Sequence, residues 1–299
     1  MSQRRFGFVV VVFLTIALLG VGLAAQEPAP KTPWGHPDLQ GVWTNSTTTP
    51  MERPSELGEQ AFLTEEERAA RVSDSGITVE VPSDLMPTGA YNDYWLEQGE
   101  LSLRTSLIVD PPNGQYPPLT PEATQRRSEN LGSFANSGFD TWEDLSTYDR
   151  CITRGMPGAM TPGFYNHNYQ ILQTPDHVVL FVEMIHDARI IPLEGAGTTG
   201  AAFGQWLGTS RGRWDGDTLV IETTNLPETE RRVEERLTRV DADTIDYQIT
   251  VTDPNEWTDS WTAIMPMNEI EGPLFEYACH EGNYAVPNML AGSRAEDGR

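Results

Sequence analysis

Basic residues are scarce in this chain and lysine is almost absent. Lys31 is the only lysine, and 20 Lys and Arg face 44 Asp and Glu, a net charge of −24. So acidic a surface repels phosphate backbones and anionic lipid, which excludes nucleic acid and leaves neutral or cationic small molecules as partners. No Gly-Lys-Ser/Thr phosphate loop occurs, and the Gly-x-Gly-x-x-Gly spacing of Gly195–Gly200 and the Gly-x-Ser-x-Gly spacing of Gly208–Gly212 are not followed by the helical pattern that a dinucleotide fingerprint or a nucleophile elbow requires. Dinucleotide enzymes, phosphate-loop enzymes and α/β-hydrolases therefore lose their sequence support. His280-Glu281 opens like a zinc-protease helix, but Tyr284 stands where the second histidine belongs. There is no Cys-x-x-Cys-His for haem attachment, and no repeat of propeller or solenoid length. No cofactor is expected.

Cysteine is equally sparse. Cys151 and Cys279 are the only two, too few for a tetrahedral zinc site. In an oxidising compartment such a pair is expected to form a bridge that pins the middle of the chain to its last segment. A nucleophilic cysteine beside His280 is the competing reading.

Such a compartment is what the first residues predict. Arg4 and Arg5 precede an apolar stretch from Phe6 to Leu23, and Gly22-Leu23-Ala24 offers the small residues of a signal-peptidase site. We read residues 1–25 as a signal peptide, 26–37 as a Pro-rich leader and 38–299 as a single β-rich domain. About 18 apolar residues approach spanning length, so an uncleaved inner-membrane anchor is the alternative. Cleavage predicts a periplasmic or secreted protein with no stable membrane insertion, carrying 18 basic and 44 acidic residues. Nothing in the sequence fixes its oligomeric state.

The rest of the chain is β-rich. Asp38–Thr44 is a first strand whose Gly41-Val42-Trp43 resembles the opening strand of lipocalin-like barrels, with Trp43 placed to plug one end. Thr64-Glu65-Glu66-Glu67 is a capping box for a short helix. Leu101–Val109 reads as a strand, Thr120-Pro121 opens a second helix, and Asp140-Thr141-Trp142-Glu143 a third short one. Past residue 165 a β-meander begins. Asn168–Thr174 and Val178–Asp187 are joined by Pro175-Asp176. In Arg213–Leu219, Asp215-Gly216 supplies the positive φ of a type I′ turn. Ile245, Tyr247, Ile249 and Val251 alternate with polar residues, the period of a strand with one buried face. Trp257–Met265 and Leu274–His280 complete the set. The prediction is an antiparallel β-barrel, lipocalin- or calycin-like, or a sandwich, with a few short peripheral helices.

Several long segments carry a resemblance: PDLQGVW (37–43), RTSLIVDPPNGQYPPLT (104–120), RCITRGMPG (150–158), YNHNYQILQT (165–174), EMIHDARIIPL (183–193), GTSRGRWDGDTLVIETTN (208–225), ERLTRVDADTIDYQITVTDP (235–254) and YACHEGNY (277–284). Together they resemble an uncharacterised family of exported proteins from environmental bacteria. The resemblance implies export and one domain over nearly the whole mature chain. It brings no reaction with it.

Candidate chemistry concentrates in two places. In Glu183–Arg189 an apolar run ends in ionisable groups, an arrangement that shifts pKa values. Regular strand geometry puts Glu183 and Asp187 on one face and His186 on the other. In Glu276–Tyr284, alternation puts Glu276 and His280 on one face, a base with an orienting carboxylate. Either cluster is equally readable as structural: a buried ion-pair network in the first, a bridged final strand in the second. Arg104, Arg150, Arg189, Arg211, Arg213, Arg236 and Arg239 sit at strand or turn positions, suited to bidentate pairing with carboxylates. Arg104 and Arg189, set among apolar residues, are the choices to stabilise developing negative charge. Tyr165, Asn166, Asn168 and Tyr284 offer ring and amide contacts to a polar ligand. His186, His280 and a carboxylate lack metal-site spacing, so no metal is expected. The expected function is a cofactor-independent exported enzyme using His/carboxylate acid–base chemistry, a lyase, isomerase or hydrolase, on a small organic molecule. The alternative is a periplasmic β-barrel binding protein for an apolar or carbohydrate ligand.

Overall fold

A computed structural model describes residues 29–75, 97, 99–129, 139–163, 165–196, 203–227, 229–296 and 298. The targeting segment expected over 1–25 lies outside them. No helix among the described residues is long and apolar enough to cross a membrane.

The strands are β1 (Gly41–Thr44), β2 (Ile108–Asp110), β3 (Asn168–Gln173), β4 (His177–Val182), β5 (Ala188–Pro192), β6 (Thr209–Asp215), β7 (Thr218–Thr224), β8 (Arg232–Arg239), β9 (Thr244–Thr252) and β10 (Trp261–Glu269). Three helices, α1 (Glu65–Ser75), α2 (Pro121–Glu129) and α3 (Ala285–Glu296), accompany them. Hydrogen bonding orders the sheet β5-β4-β3-β1-β10-β9-β8-β7-β6, with β2 added on β10. Apart from β2, this is an up-and-down meander curled into a nearly closed antiparallel barrel, the predicted fold class. Nine strands is an odd number, so alternating directions leave β5 and β6 parallel where the ends meet. There Leu193 bridges Gly212 in parallel. A Cβ at Gly212 would lie 2.8 Å from Leu193 Cδ2 and 3.1 Å from Ile191 Cγ2, so the seam closes on a residue without a side chain.

Period-two patterning places the core. Ile245, Tyr247, Ile249 and Val251 of β9 are all fully buried, each apolar side chain contributing about 1.5–3 kcal/mol by leaving water. Trp43 is fully buried as well, its Nε1 donating to the Leu39 carbonyl at 3.0 Å, with the Arg239 guanidinium 5.1 Å above its ring. It plugs the end of the barrel covered by residues 31–40, where His36 stacks on Trp214 at 4.7 Å.

The predicted caps are present. Glu67 N donates to Thr64 Oγ1 at 3.1 Å while Thr64 N donates to Glu67 Oε2 at 2.7 Å, and Thr120 Oγ1 accepts from Ala123 N at 3.1 Å ahead of α2. Four expectations are corrected. The β6–β7 turn has only Gly216 left-handed, at φ 61°; Asp217 is not, which is the type II′ pattern rather than I′. Only Ile108–Asp110 of the strand expected over 101–109 joins the sheet, because Thr105 and Leu107 spend their N–H groups on Ala61 and Pro50. The third helix is a single 3-10 turn, Trp142–Asp144. Leu274–His280 is not a strand at all; it runs irregularly and leads to α3, which the sequence reading missed.

Candidate functional site

The first polar cluster begins where β4 stops. Residues 183–189 do not continue the strand as expected. The chain leaves β4 at Val182, makes a 3-10 turn over Met184–His186 and re-enters the sheet at Ala188. Ile185 at φ 60° and His186 at φ 47° take the left-handed conformation, which a β-branched residue rarely adopts. Cys151 (φ 56°) and Asn166 (φ 54°) do the same in loops at this end of the barrel. Only one other described non-glycine residue, Asn225, has a positive φ. Strain of this kind persists where the surroundings over-determine it, and it gathers at functional sites.

The turn sends its side chains to different places. Met184 and Ile185 enter the core, and His186 faces outward. Glu183, 1 % exposed, accepts from Asn168 Nδ2 at 2.7 Å and from the Phe275 backbone N–H at 3.1 Å. Asp187 Oδ2 accepts from Thr153 Oγ1 at 2.8 Å; burial raises its pKa, and that hydrogen bond works the other way.

Across from the turn lies the irregular segment 274–284. No ladder holds it. The Cys151 and Cys279 sulfurs are 2.01 Å apart, a disulfide distance. Glu183 holds Phe275 N, and Asn283 Nδ2 reaches Cys151 Sγ at 3.3 Å. The Tyr277 ring stacks on Tyr165 with centroids 6.5 Å apart. His186 Nδ1 meets the Tyr277 carbonyl at 3.3 Å. A carbonyl only accepts, so Nδ1 carries the proton, and in the neutral ring Nε2 keeps a lone pair. The disulfide here straps segment 274–284 to the barrel.

Between strap and turn lies a hollow of about 440 Å³. Phe181, Leu274, Phe275 and Tyr277 form its apolar lining, and His186, Glu276, His280 and Glu281 its polar lining. Three of the six candidate catalytic residues thus share one hollow. The hollow is open, however, and among the described residues no hydrogen bond joins either histidine to Glu276 or Glu183. The other three lie elsewhere. Glu183 is behind the wall. Arg104 stands over the Phe62 ring at 5.1 Å. Arg189 is inside the barrel.

Of the four candidate binding residues, Tyr165 backs the strap, Asn166 forms the strained turn before β3, and Tyr284 is exposed just before α3. Asn168 Nδ2 bridges Glu183 and Glu97, at 2.7 and 3.2 Å. Behind them is a cluster the sequence did not reveal. Arg154 Nη1 donates to His167 Nε2 at 2.8 Å. Burial, and then the Arg154 charge, pull the His167 pKa down to about 3, so the imidazole is neutral. A Cβ at Gly163 would overlap that ring. Arg154 also lies 5.6 Å over the Tyr148 ring, and Tyr148 and Tyr165 hydroxyls are 3.4 Å apart. A continuous set of contacts therefore runs from the hollow through Tyr277, Tyr165, Tyr148 and Arg154 to His167. Nothing in the local sequence links Arg154 to His167, because the fold alone makes them neighbours.

A second cluster closes the barrel seam, a buried ion pair of the kind expected for this segment, with a partner that the sequence does not name. Arg189 pairs bidentately with Glu235, Nη1 to Oε1 at 2.8 Å and Nη2 to Oε2, and its Nη2 also donates to Ser210 and Thr223 at 3.3 and 3.2 Å. Tyr247 donates to Glu235 Oε1 at 2.8 Å. Burial works against the Arg189 charge, but the Glu235 carboxylate outweighs it and raises the pKa. Burial followed by the same carboxylate lifts Tyr247 well above the usual phenol range. Both charges of the pair are spent on each other, so this network ties β5, β6, β7, β8 and β9 together.

Among the described residues, no three His, Cys, Asp or Glu side chains are grouped to hold a metal ion. Compared with protein-family models and with curated proteins, the chain matches none.

Proposed function

We propose that this protein is exported and binds a small organic molecule in the hollow at the barrel rim, as a periplasmic or secreted binding module. The observation that carries this reading is the strapped segment. A disulfide, a buried carboxylate and a ring stack hold an irregular, apolar strip across from a strained turn, and the product of all that ordering is a lined hollow. The barrel axis, by contrast, is filled with Trp43, Tyr169, Tyr247 and the Arg189–Glu235 pair. Binding is tested by thermal-shift and calorimetric titration with neutral and cationic small molecules. Phe275→Ala is expected to weaken any ligand about tenfold through lost apolar contact. Unchanged affinity in that variant overturns the location.

Acid–base catalysis is the second reading, favoured by one observation: His186, with Nε2 free to accept a proton, shares the hollow with Glu276 and His280. In this version His186 or His280 is the base, and the reaction is an elimination, isomerisation or hydrolysis. His186→Ala and His280→Ala variants that fold and retain full turnover on an identified substrate would remove it. Export is tested separately, by sequencing the mature N-terminus, expected near Gln26.

A further inference from the structure

We infer that the ligand of the rim hollow is an organic cation, an alkylammonium or quaternary ammonium group. This rests on the binding reading above and adds the ligand's chemistry to it. Phe181, Phe275 and Tyr277 supply aromatic rings, and Glu276 and Glu281 supply two carboxylates. Neither carboxylate has an ion-pair or hydrogen-bond partner among the described residues, and no Lys or Arg lines the hollow.

Elsewhere in the chain several arginines are spent on carboxylates. Arg126 and Arg127 share Glu256, Arg231 takes Asp253, Arg236 takes Asp215, and Arg239 takes Glu269. The two glutamates on the hollow are left with charge to offer. An anionic ligand would meet repulsion from both, and from a chain of net charge −24. A neutral ligand would use the rings and gain nothing from the carboxylates. A cation with an apolar surface uses both: the negative faces of the rings attract it, and the carboxylates add Coulomb attraction. An alkylated ammonium also sheds water more readily than a bare one, which suits an open, half-apolar hollow.

The test compares choline with dimethylbutanol, its uncharged carbon isostere, on the full mature protein by calorimetry at low and high salt. Choline is expected to bind about tenfold more tightly than the isostere, and to lose most of that advantage as salt screens the carboxylates. A Glu276→Gln, Glu281→Gln double variant is expected to bring choline down to the isostere's affinity. Both positions are exposed and unpartnered, and an unchanged melting transition checks that the fold is intact. Equal affinity for the two probes overturns the cation inference and leaves the binding reading standing. So does a double variant that binds choline as the native chain does. Absence of binding by both probes overturns the cation inference, while the binding reading is decided by the wider titration with neutral and cationic small molecules.

Discussion

Two groups of charged residues, one inside the barrel and one on its rim, are built on opposite terms. Arg189 and Glu235 are 1 % and 0 % exposed, share a bidentate contact, and have Ser210, Thr223 and Tyr247 around them. At the rim, His186, Glu276, His280 and Glu281 are exposed, and the two glutamates carry no partner among the described residues. Removing two charges from water is tolerable only when each satisfies the other, so the inner pair is committed to closing the seam. The rim charges have paid no such desolvation cost and keep their capacity for an outside partner. Residues equally polar in sequence thus divide into a spent pair and an available group according to whether their neighbours in the fold have used them up.

The comparison breaks first if the inner pair is not needed. Glu235→Ala leaves a guanidinium buried and unpaired, and is expected to cost about 3–5 kcal/mol in chemical denaturation. Replacing both, Arg189→Met with Glu235→Leu, should recover most of that loss. Glu276→Gln is expected to stay within about 0.5 kcal/mol of the native chain. A Glu235→Ala variant as stable as Glu276→Gln would erase the distinction between the two groups.

The strap comes next. Cys151→Ala with Cys279→Ala opens a long covalent loop, and is expected to lower stability by about 2–4 kcal/mol. Its more particular effect is local. Amide exchange should rise sharply over 274–284 while β6–β9 stay protected, and small-molecule binding should fall with it. Uniform loss of protection would show that the bridge supports the barrel rather than the hollow.

The last effect concerns pH and is small only per pH unit. His167 is neutral in the folded chain down to about pH 3, whereas an unfolded histidine protonates near 6.5. Between those values the unfolded state binds the extra proton, so stability falls as pH is lowered, by up to about 1.4 kcal/mol per pH unit from this residue. Above 6.5 the contribution is flat. His167→Gln should flatten the acid limb of the stability curve; an unaltered limb would show that His167 is not the group responsible.

The barrel was legible because its signals are local. The alternation from Ile245 to Val251, the Asp215-Gly216 turn and the Thr64–Glu67 capping box each state their conformation within a few residues, and the structure agrees on all but the turn's type. The site was legible only in part. His186, Glu276 and His280 were chosen on the assumption of two strands, yet they meet because the chain turns at Ile185 and because a disulfide holds 274–284 without a ladder. Nothing in the propensity of an isoleucine announces a left-handed φ. Glu276 and His280 show a period of two that no strand uses. Partners such as Arg189 with Glu235, or Arg154 with His167, belong to segments that only the closed barrel brings into contact. Their pairing is a property of the topology and leaves no trace in spacing.

Histidine ring resonances offer the most direct test that the rim hollow is the working site. The chain has five histidines: His186 and His280 on the hollow, His167 sealed behind it, and His36 and His177 toward the other end of the barrel. We predict that titrating whichever of choline and dimethylbutanol binds more tightly shifts the His186 and His280 rings together, saturably, and leaves the other three in place. Saturable binding that moves His36 or His177, with His186 and His280 unmoved, would contradict the account.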